Sequence, residues 1–593
     1  MEKENSSTSS ANRERKKVTK RQRYDMIRSQ LENERSSFIS HWRDLGEYIL
    51  PRRPRFFVSD VNKGDRRNNK IIDSTATLAT RTLRSGMMAG MTSPARPWFK
   101  ITTSDPAYAE DGQIKEWLRI VEERMNTIFV RSNLYNALPI IYADMGVFAT
   151  AALYVEEDFE DVMRFYAFPI GSYMAGTDSK GRVRMFFREF QMTVRQIIEK
   201  YGTVDENGDV SDWSNISETV KNLWQSNQDE QWIEVCHVVL PNPEYNPKML
   251  ASKYKKFLSC TYEKGYHGAN NYQRDFNDDR MLKESGYDYF PVLCPRWGVT
   301  GEDVYGTDCP GMDALGDVKA LQLLHKRKAQ AIEKSINPPM KGPSALRNQK
   351  ASIIAGDITY FDEREGQSGF KPIHEVRLEL QGLLADIQDH QSRIRRAFFE
   401  DLFLMLAQTD RRQITAREVE ERHEEKLLSL GPVLEQLNQD LLDPLIDITF
   451  DFMTRQGYVP QPPEQLQGQR LKVEYVSIMA QAQKLVGITG IERLLDTSLK
   501  IVSLTRDPSS VDKVDIDQLL DEYGSDLGVP TNVIRTDDQV QSIREVRAQA
   551  VQEQKQMEAL QSAGKITKDL SQSDLGGGNN ALSEIVKSVK AGQ

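Results

Sequence analysis

The residues best placed to do chemistry are cations. Gln408-Thr-Asp-Arg-Arg-Gln413 is a short polar stretch, doubly basic at Arg411 and Arg412, between two long helical patterns. A guanidinium presented on such a turn grips phosphate electrostatically and without regard to base identity, so the chemistry on offer is contact with a polyanion. Pairing of Arg411 and Arg412 with Asp410 or neighbouring acids is the plainer alternative. A second basic stretch runs from Asp313 to Lys350, with eight Lys/Arg against three Asp/Glu. Lys326, Arg327, Lys328 and Lys334 within it cannot all face one way on a helix, so some must meet solvent or a partner. A third, Arg13 to Arg23, carries seven basic residues and one acid and suits either nucleic acid or a solvated helix start.

Signatures of bond-making chemistry are missing. The chain has no G-x-x-x-x-G-K-[ST] loop to cradle ATP phosphates, no G-x-S-x-G elbow and no G-x-G-x-x-G fingerprint. His423-Glu424 begins like a zinc-binding H-E-x-x-H helix, but Leu427 stands where the second histidine is needed. The acidic run Glu156 to Asp161 lacks Ca²⁺-loop spacing and falls at a predicted hairpin tip. Asp515 and Asp517 point apart on a helix, and Asp303 and Asp308 are dispersed acids. His237, His267, His325, His374 and His390 are scattered, which favours ordinary surface or core roles. Cys236, Cys260, Cys294 and Cys309 are separated by 24, 34 and 15 positions, which predicts four free thiols in a reducing compartment. No metal or other cofactor is implied.

The elements that must position the cations are mostly helical. From Val376 to Gly457 two long patterns flank the basic turn. The first repeats through Leu380, Leu384, Ile387, Ile394, Phe398, Leu402 and Met405, and the second opens on a Thr415-Ala-Arg-Glu418 capping box. A helix of roughly 30 residues spans about 45 Å, long enough to favour packing against copies of itself. Earlier, a helix through Tyr24 to Ile49 stops at Pro51-Arg-Arg-Pro54, and a second runs from near Ser74 to Met91 with a small-residue face. Further helices cover Ile114–Val130 and Tyr135–Phe148, the latter interrupted near Pro139. Period-two patterns near 152–156, 163–168, 182–190, 231–240, 255–262 and 289–295 predict an antiparallel sheet, giving a mixed α+β body.

At 593 residues, 39% hydrophobic and 28% charged with a net charge of −9, the chain has material for several globular units and is no polybasic binder overall. Any nucleic-acid contact must be local. No apolar run approaches a membrane span, and the N-terminus is polar rather than signal-like.

Several motifs, in matching order, resemble the head-to-tail connector, or portal protein, family of short-tailed bacteriophages. They are Trp42-Arg-Asp-Leu-Gly-Glu-Tyr-Ile-Leu-Pro51, Ser85-Gly-Met-Met-Ala-Gly-Met91, Tyr305-Gly with Gly311-Met-Asp-Ala-Leu-Gly-Asp-Val-Lys319, and Pro338-Pro339. Ile394-Arg-Arg-Ala-Phe-Phe-Glu-Asp-Leu-Phe403, Thr415 to Arg422, Leu430-Gly-Pro-Val433, Glu474-Tyr-Val-Ser477 and Ala480-Gln481 extend the likeness. It covers the chain from about residue 20 to 550.

The resemblance implies a predominantly helical α+β fold with wing, two-helix stem, clip, tunnel loop, long bent helix and helical crown. Mapped here, a basic, disordered arm (1–23) precedes the wing (24–312). The stem helices are 313–337 and 376–407, with the clip (338–375) between them. Gln408, Thr409, Asp410, Arg411, Arg412 and Gln413 fall in the tunnel loop (408–414) facing DNA, and Lys326, Arg327, Lys328 and Lys334 are further DNA-facing candidates. A long helix (415–457), bent near Gly431-Pro432 and Asp443-Pro444, leads to a return segment (458–535), a crown helix (536–562) and a flexible tail (563–593). The implied partners are further copies of the chain in a ring of about twelve, double-stranded DNA bound without sequence specificity, the terminase motor, major capsid and scaffolding proteins, and tail adaptors. The implied setting is one capsid vertex of the virion, reached from host cytoplasm during assembly. Such a protein is a conduit and not an enzyme. The alternative is a virion scaffolding or structural assembly protein whose basic stretches serve assembly without conducting DNA.

Overall fold

The computed structural model describes residues 19–58, 64, 66–103, 111–204, 210–265, 280–338, 340–341, 371–372, 380–408, 430–466, 471–476, 500, 517–519 and 537–572. The chain divides into two compact units, one of Met1–Ile101, Arg119–Pro462 and Lys472–Gln483, the other of Thr102–Leu118, Pro463–Leu471 and Lys484–Gln593. Among the described residues, far more lie in helices than in strands, so the class is α+β, mostly helical.

Helix α1 (Lys20–Tyr48) opens on a reciprocal cap. The Gln22 N–H donates to Thr19 Oγ1 (3.3 Å) and the Thr19 N–H to Gln22 Oε1 (3.2 Å), which satisfies two orphan amides at once. Residues 20–23, assigned above to the arm, therefore form the first helical turn. Pro51-Arg-Arg-Pro54 stops the helix, as X-Pro steps require, and delivers Arg53 to the buried Asp144. Arg53 Nε and Nη2 approach both Asp144 oxygens at 2.7–2.9 Å, and Nη2 also donates to the carbonyls of Ala167 and Phe168.

Next come α2 (Thr75–Met91), β1 (Phe99–Thr103), α3 (Gly112–Arg131) and α4 (Leu134–Phe148). Helix α4 runs through Pro139 without interruption. Proline costs one backbone bond to the carbonyl four residues back, here near the helix start, and the nearly complete burial of α4 from Ile141 onward outweighs it. The small-residue face of α2 is used as its composition predicts. Gly86 leaves room for the Phe403 ring, which a Cβ would meet at 2.2 Å, and Gly146 of α4 likewise receives Leu83. Trp98 and Phe99 anchor β1: their rings meet edge-on, and Trp98 stacks on Phe129 while Phe99 meets it edge-on.

The sheets follow the period-two segments. They are built from β2 (Ala152–Asp158), β3 (Val162–Phe168), β4 (Tyr173–Thr177) and β5 (Val183–Thr193), then α5 (Val194–Tyr201), β6 (Thr203–Val204), β7 (Val210–Asp212) and α6 (Glu218–Gln225). After these come β8 (Trp232–Pro241), β9 (Phe257–Gly265), β10 (Lys283–Tyr287) and β11 (Val292–Leu293). Five strands form one antiparallel sheet in the order β10-β9-β8-β5-β4, and three more form β11-β2-β3. Tyr24 and Leu31 of α1 pack on the larger sheet against Phe187, Cys236, Val238 and Tyr262, while α5 and α6 cover its other end through Ile197, Ile198 and Val220. At the turn between β4 and β5, Asp178 Oδ1 accepts from the Lys180 and Arg182 amides, and Gly181 supplies the positive φ of 72°.

Beyond the sheet lie α7 (Pro310–Ile336), β12 (Met340–Lys341), β13 (Lys371–Pro372), α8 (Leu380–Ala397) and α9 (Glu400–Gln408). One expected helix over 376–407 is thus two, broken at Phe398 and Phe399. Phe399 takes a left-handed φ of 53°, and its ring sits 6.3 Å from Trp297. Residues 430–437 are helical and pass into a π turn, Asn438–Leu442, just before α10 (Asp443–Arg455). Pro444 has no amide to offer its preceding turn, and the Asp443 N–H instead reaches Asn438 O, five residues back. This turn directly precedes Asp443-Pro444. It carries Asp440 to Arg296, a nearly buried pair at 3.1 Å whose guanidinium also donates to the carbonyls of Asp303 and Gly181. Strand β14 (Leu471–Tyr475) follows, and the Val476 amide donates to Trp98 O at 3.0 Å.

In the second unit, α11 (Asp537–Gln572) continues past Gly564, beyond the boundary expected at residue 562. Arg544 forks onto both oxygens of Asp517 at 2.6 and 2.8 Å, while Val546, Val551 and Met557 stand exposed.

Candidate nucleic-acid interface

Helix α7 changes character along its length. Its first half is built into the body. Pro310 pre-sets the first turn, and Gly311 lies against the Val147 backbone so closely that a Cβ would meet the Val147 Cα and O at 2.7 Å. The Cys309 thiol donates to Val147 O at 3.3 Å. Ala314, Leu315, Val318 and Leu321 are buried behind it.

The next turn is fixed by a polar network that links three segments. Gln322 Oε1 accepts from the amides of Ile72 (2.6 Å) and Asp73 (2.8 Å), and its Nε2 donates to Asp73 O (2.9 Å). The Asp73 carboxylate accepts from the Thr75 amide and from Gln391 Nε2 of α8, with His325 Nε2 at 3.3 Å. Burial alone would raise the Asp73 pKa, but the hydrogen bonds from Thr75 and Gln391 and the nearby His325 hold it below the ordinary carboxylate range. One turn back, Asp317 meets His390 of α8 at 2.8 Å. Helices α7 and α8 are thereby clamped side by side.

Past Gln322, α7 extends for a further 14 residues, about 20 Å, with little of its surface covered. Lys326, Arg327 and Lys334 are exposed and Lys328 is partly so, and none forms an ion pair or hydrogen bond with a described residue. Apolar groups are bare alongside them: Leu323 is 47% exposed, Ile336 79%, and Ile332 and Leu384 also face outward. At the far end, β12 and β13 pair antiparallel, Met340 with Pro372 and Lys341 with Lys371, so residues 340–372 leave and return at one place. Helix α8 comes back through the buried Ile387 and Ile394, and α9 then packs on α2 through Phe403. Gln408 is the last residue of α9. Thr409, Asp410, Arg411, Arg412 and Gln413 lie outside the described residues, as do Thr415–Arg422, His423 and Glu424, most of the 338–375 interval, His267 and His374.

The other candidate groups fall into structural roles. Glu157 pairs with Arg455 at 3.5 Å, and Asp158 caps its own turn through the Glu160 amide, with Phe159 bare at the tip. Among the described residues no cluster of three or more His, Cys, Asp or Glu side chains could hold a metal ion. The four thiols are free and buried, and burial pushes Cys260 up to about 11 and Cys236 and Cys309 up to about 12. Burial likewise lowers His237 to about 3, so it is neutral where it bonds Ser259 Oγ at 2.9 Å. Sequence reasoning missed the Asp73–Gln322–Gln391 network. Its only trace is a set of polar residues, Gln322, His325 and Gln391, at positions a one-sided helix would give to apolar ones.

Residues 21–534 match the family described as bacteriophage head to tail connecting protein. The chain belongs to that family. It is 45% identical over 565 residues to the portal protein of Salmonella phage epsilon15, covering 95% of this chain and 98% of the relative. It is 40% identical over 558 residues to a probable portal protein of Bordetella phage BPP-1, covering 94% and 96%. For a head-to-tail connecting protein, the motifs acquire local reasons in this fold. Ser85-Gly-Met-Met-Ala-Gly-Met91 supplies the Gly86 socket for Phe403, and Gly311 to Lys319 is the stretch of α7 seated against α4.

Proposed function

We infer that this chain is the portal of its phage, a ring at one capsid vertex through which double-stranded DNA enters during packaging and leaves at ejection. The observation that carries this reading is the near-full-length likeness to head-to-tail connecting proteins, which spans the α7–α8 pair as well as the sheet-bearing body. The helix pair supports it physically. Helices whose outer halves leave Leu323, Ile332, Ile336 and Leu384 bare are suited to burial against the same helices of neighbouring copies.

In this reading α7 and α8 are the stem, residues between β12 and β13 form the clip, and Gln408 to Gln413 form the tunnel loop. The ring has about twelve copies and works with a terminase, capsid and scaffolding proteins and tail adaptors. Arg411 and Arg412, repeated around the axis, and the exposed Lys326, Arg327, Lys328 and Lys334 would touch phosphates weakly and without base preference. Contacts of that kind let a duplex slide. Chemistry is left to the motor, since this chain has no ATP-cradling loop.

The test is Arg411→Gln with Arg412→Gln in an otherwise wild-type phage. Rings that assemble normally but package or retain less DNA support the DNA-facing loop. Unchanged packaging and retention by intact rings would count against it and favour an assembly role without DNA conduction.

A further inference from the structure

The larger sheet holds a cationic cleft that plays no part in the reading above. It has a volume of about 270 Å³ and lies between β5, the start of β8 and the segments around Arg55 and Gly171. Arg188 of β5 lines it, in register with His237 on β8 and Tyr173 on β4. The Arg188 guanidinium carbon stands 4.0 Å from the Phe168 ring centroid and 4.6 Å from that of Phe190. The two rings take up its cation–π interactions, and its in-plane N–H donors remain. Those donors meet no hydrogen-bond or ion-pair partner among the described residues.

Two more guanidinium groups line the same space. Arg35, itself buried, donates through Nη1 to the carbonyls of Gly171 and Tyr173 at 2.7 and 3.0 Å, and its Nε has no partner. The Arg55 side chain has none among the described residues either. Glu189 is the acid in the lining, and it is already engaged by Arg28 at 3.0 Å and Lys264 at 2.8 Å. Burial and the neighbouring Arg55 charge lower the Arg188 pKa to about 10, yet it stays charged at neutral pH.

Three cations gathered without a free carboxylate among the described residues repel one another, and unsatisfied donors in a half-buried cleft are costly, so the arrangement fits an oxyanion supplied from outside. The mouth adds a second specification. Trp232 and Phe57 line it and are 51% and 67% exposed, flat apolar faces of the type on which planar rings stack. A volume of about 270 Å³ suits one compact ligand, and no base held within a duplex could reach these faces.

We propose that this cleft binds one nucleotide unit, its phosphate on Arg188, Arg35 and Arg55 and its base against Trp232 and Phe57. The phosphate can come from a free nucleotide or from a single-stranded nucleic-acid end. This site is separate from the α7–α8 pair and does not depend on the portal reading.

The experiment is a calorimetric titration of the full-length protein with a nucleoside monophosphate, inorganic phosphate, the parent nucleoside, a single-stranded trinucleotide and an aspartate-rich peptide. Trp232 fluorescence is followed in parallel. The nucleoside monophosphate should bind about tenfold more tightly than inorganic phosphate, with the nucleoside silent. Arg188→Met, which keeps the bulk between Phe168 and Phe190, should weaken binding at least about tenfold. Arg55→Gln, on a side chain with no described partner, should weaken it less and serves as the variant least able to disturb folding. Trp232→Phe should abolish the fluorescence change while calorimetric binding persists. A trinucleotide that binds more tightly than the monophosphate identifies a strand as the source of the phosphate, and one that binds more weakly identifies a free nucleotide. Unchanged affinity in folded Arg188→Met and Arg55→Gln proteins would overturn the proposal, as would tighter binding of the aspartate-rich peptide than of any nucleotide.

Discussion

The two halves of α7 obey different rules. From Pro310 to Gln322 every turn is specified by the chain itself: Gly311 fits the Val147 backbone, Leu321 is buried, and Gln322 satisfies two amides and a carbonyl of the Ile72–Asp73 segment. From Leu323 to Ile336 the helix leaves apolar and cationic side chains bare together. A lone chain gains little from that second pattern, because exposed Leu and Ile contribute little burial and the cations pair with no acid among the described residues. Continuous helix on the two sides of Gln322 therefore separates residues that fold the subunit from residues kept for what it meets.

The sharpest way to break this comparison is at Gly311. Gly311→Val drives a side chain into the Val147 backbone, and the body should lose several kcal/mol or fail to fold, which a chemical denaturation curve would show. Asp73→Ala leaves Gln391 Nε2 and the Thr75 amide without their acceptor and should cost about 2–3 kcal/mol in the same assay. Its normal stability would mean that the clamp between α7 and α8 is ornamental.

Glu122 provides a pH-dependent reference inside the body. Its Oε1 accepts the Ile101 amide at 2.6 Å, and burial raises its pKa to about 7. From about pH 4.5 to 7 the folded chain keeps a proton that the unfolded chain releases, so stability falls as pH rises through that window. Glu122→Gln keeps the acceptor and removes the charge. It should flatten the profile and be more stable than wild type above pH 7 by about 3 kcal/mol. The smallest effect belongs to the distal half. Replacing Lys326, Arg327, Lys328 and Lys334 with Gln should leave the unfolding midpoint within about 0.5 kcal/mol of wild type, while the salt dependence of DNA binding by assembled rings becomes shallower. A loss of stability comparable to that of Asp73→Ala would erase the distinction between the halves.

Local signals in the sequence carried much of the architecture. Pro51 and Pro54 mark the end of α1, Asn337-Pro338 follows the end of α7, and approximate period-two patterns mark β2, β3, β5 and β8, because each depends on neighbours in sequence. The break at Phe399 was not legible, since a left-handed phenylalanine is held by tertiary contact with Trp297 and not by propensity. Arg53 with Asp144, Arg296 with Asp440, and Asp73 with Gln391 join residues 91, 144 and 318 positions apart, and no periodicity announces such pairs. The Arg188 cleft escaped notice for the same reason: its three arginines become neighbours only when β5 pairs and α1 packs over the sheet.

The most direct test of the central claim, that the bare half of α7 is completed by other copies of the chain, is the solution mass of the full-length protein beside a Leu323→Ser, Ile332→Ser, Ile336→Ser variant, with images of both. Wild type should form closed rings of about a dozen subunits with a central hole, and the variant should fall to smaller species with an unchanged unfolding midpoint. A wild-type chain that stayed monomeric even with scaffold and capsid proteins present, or a variant that formed rings as readily as wild type, would contradict the account.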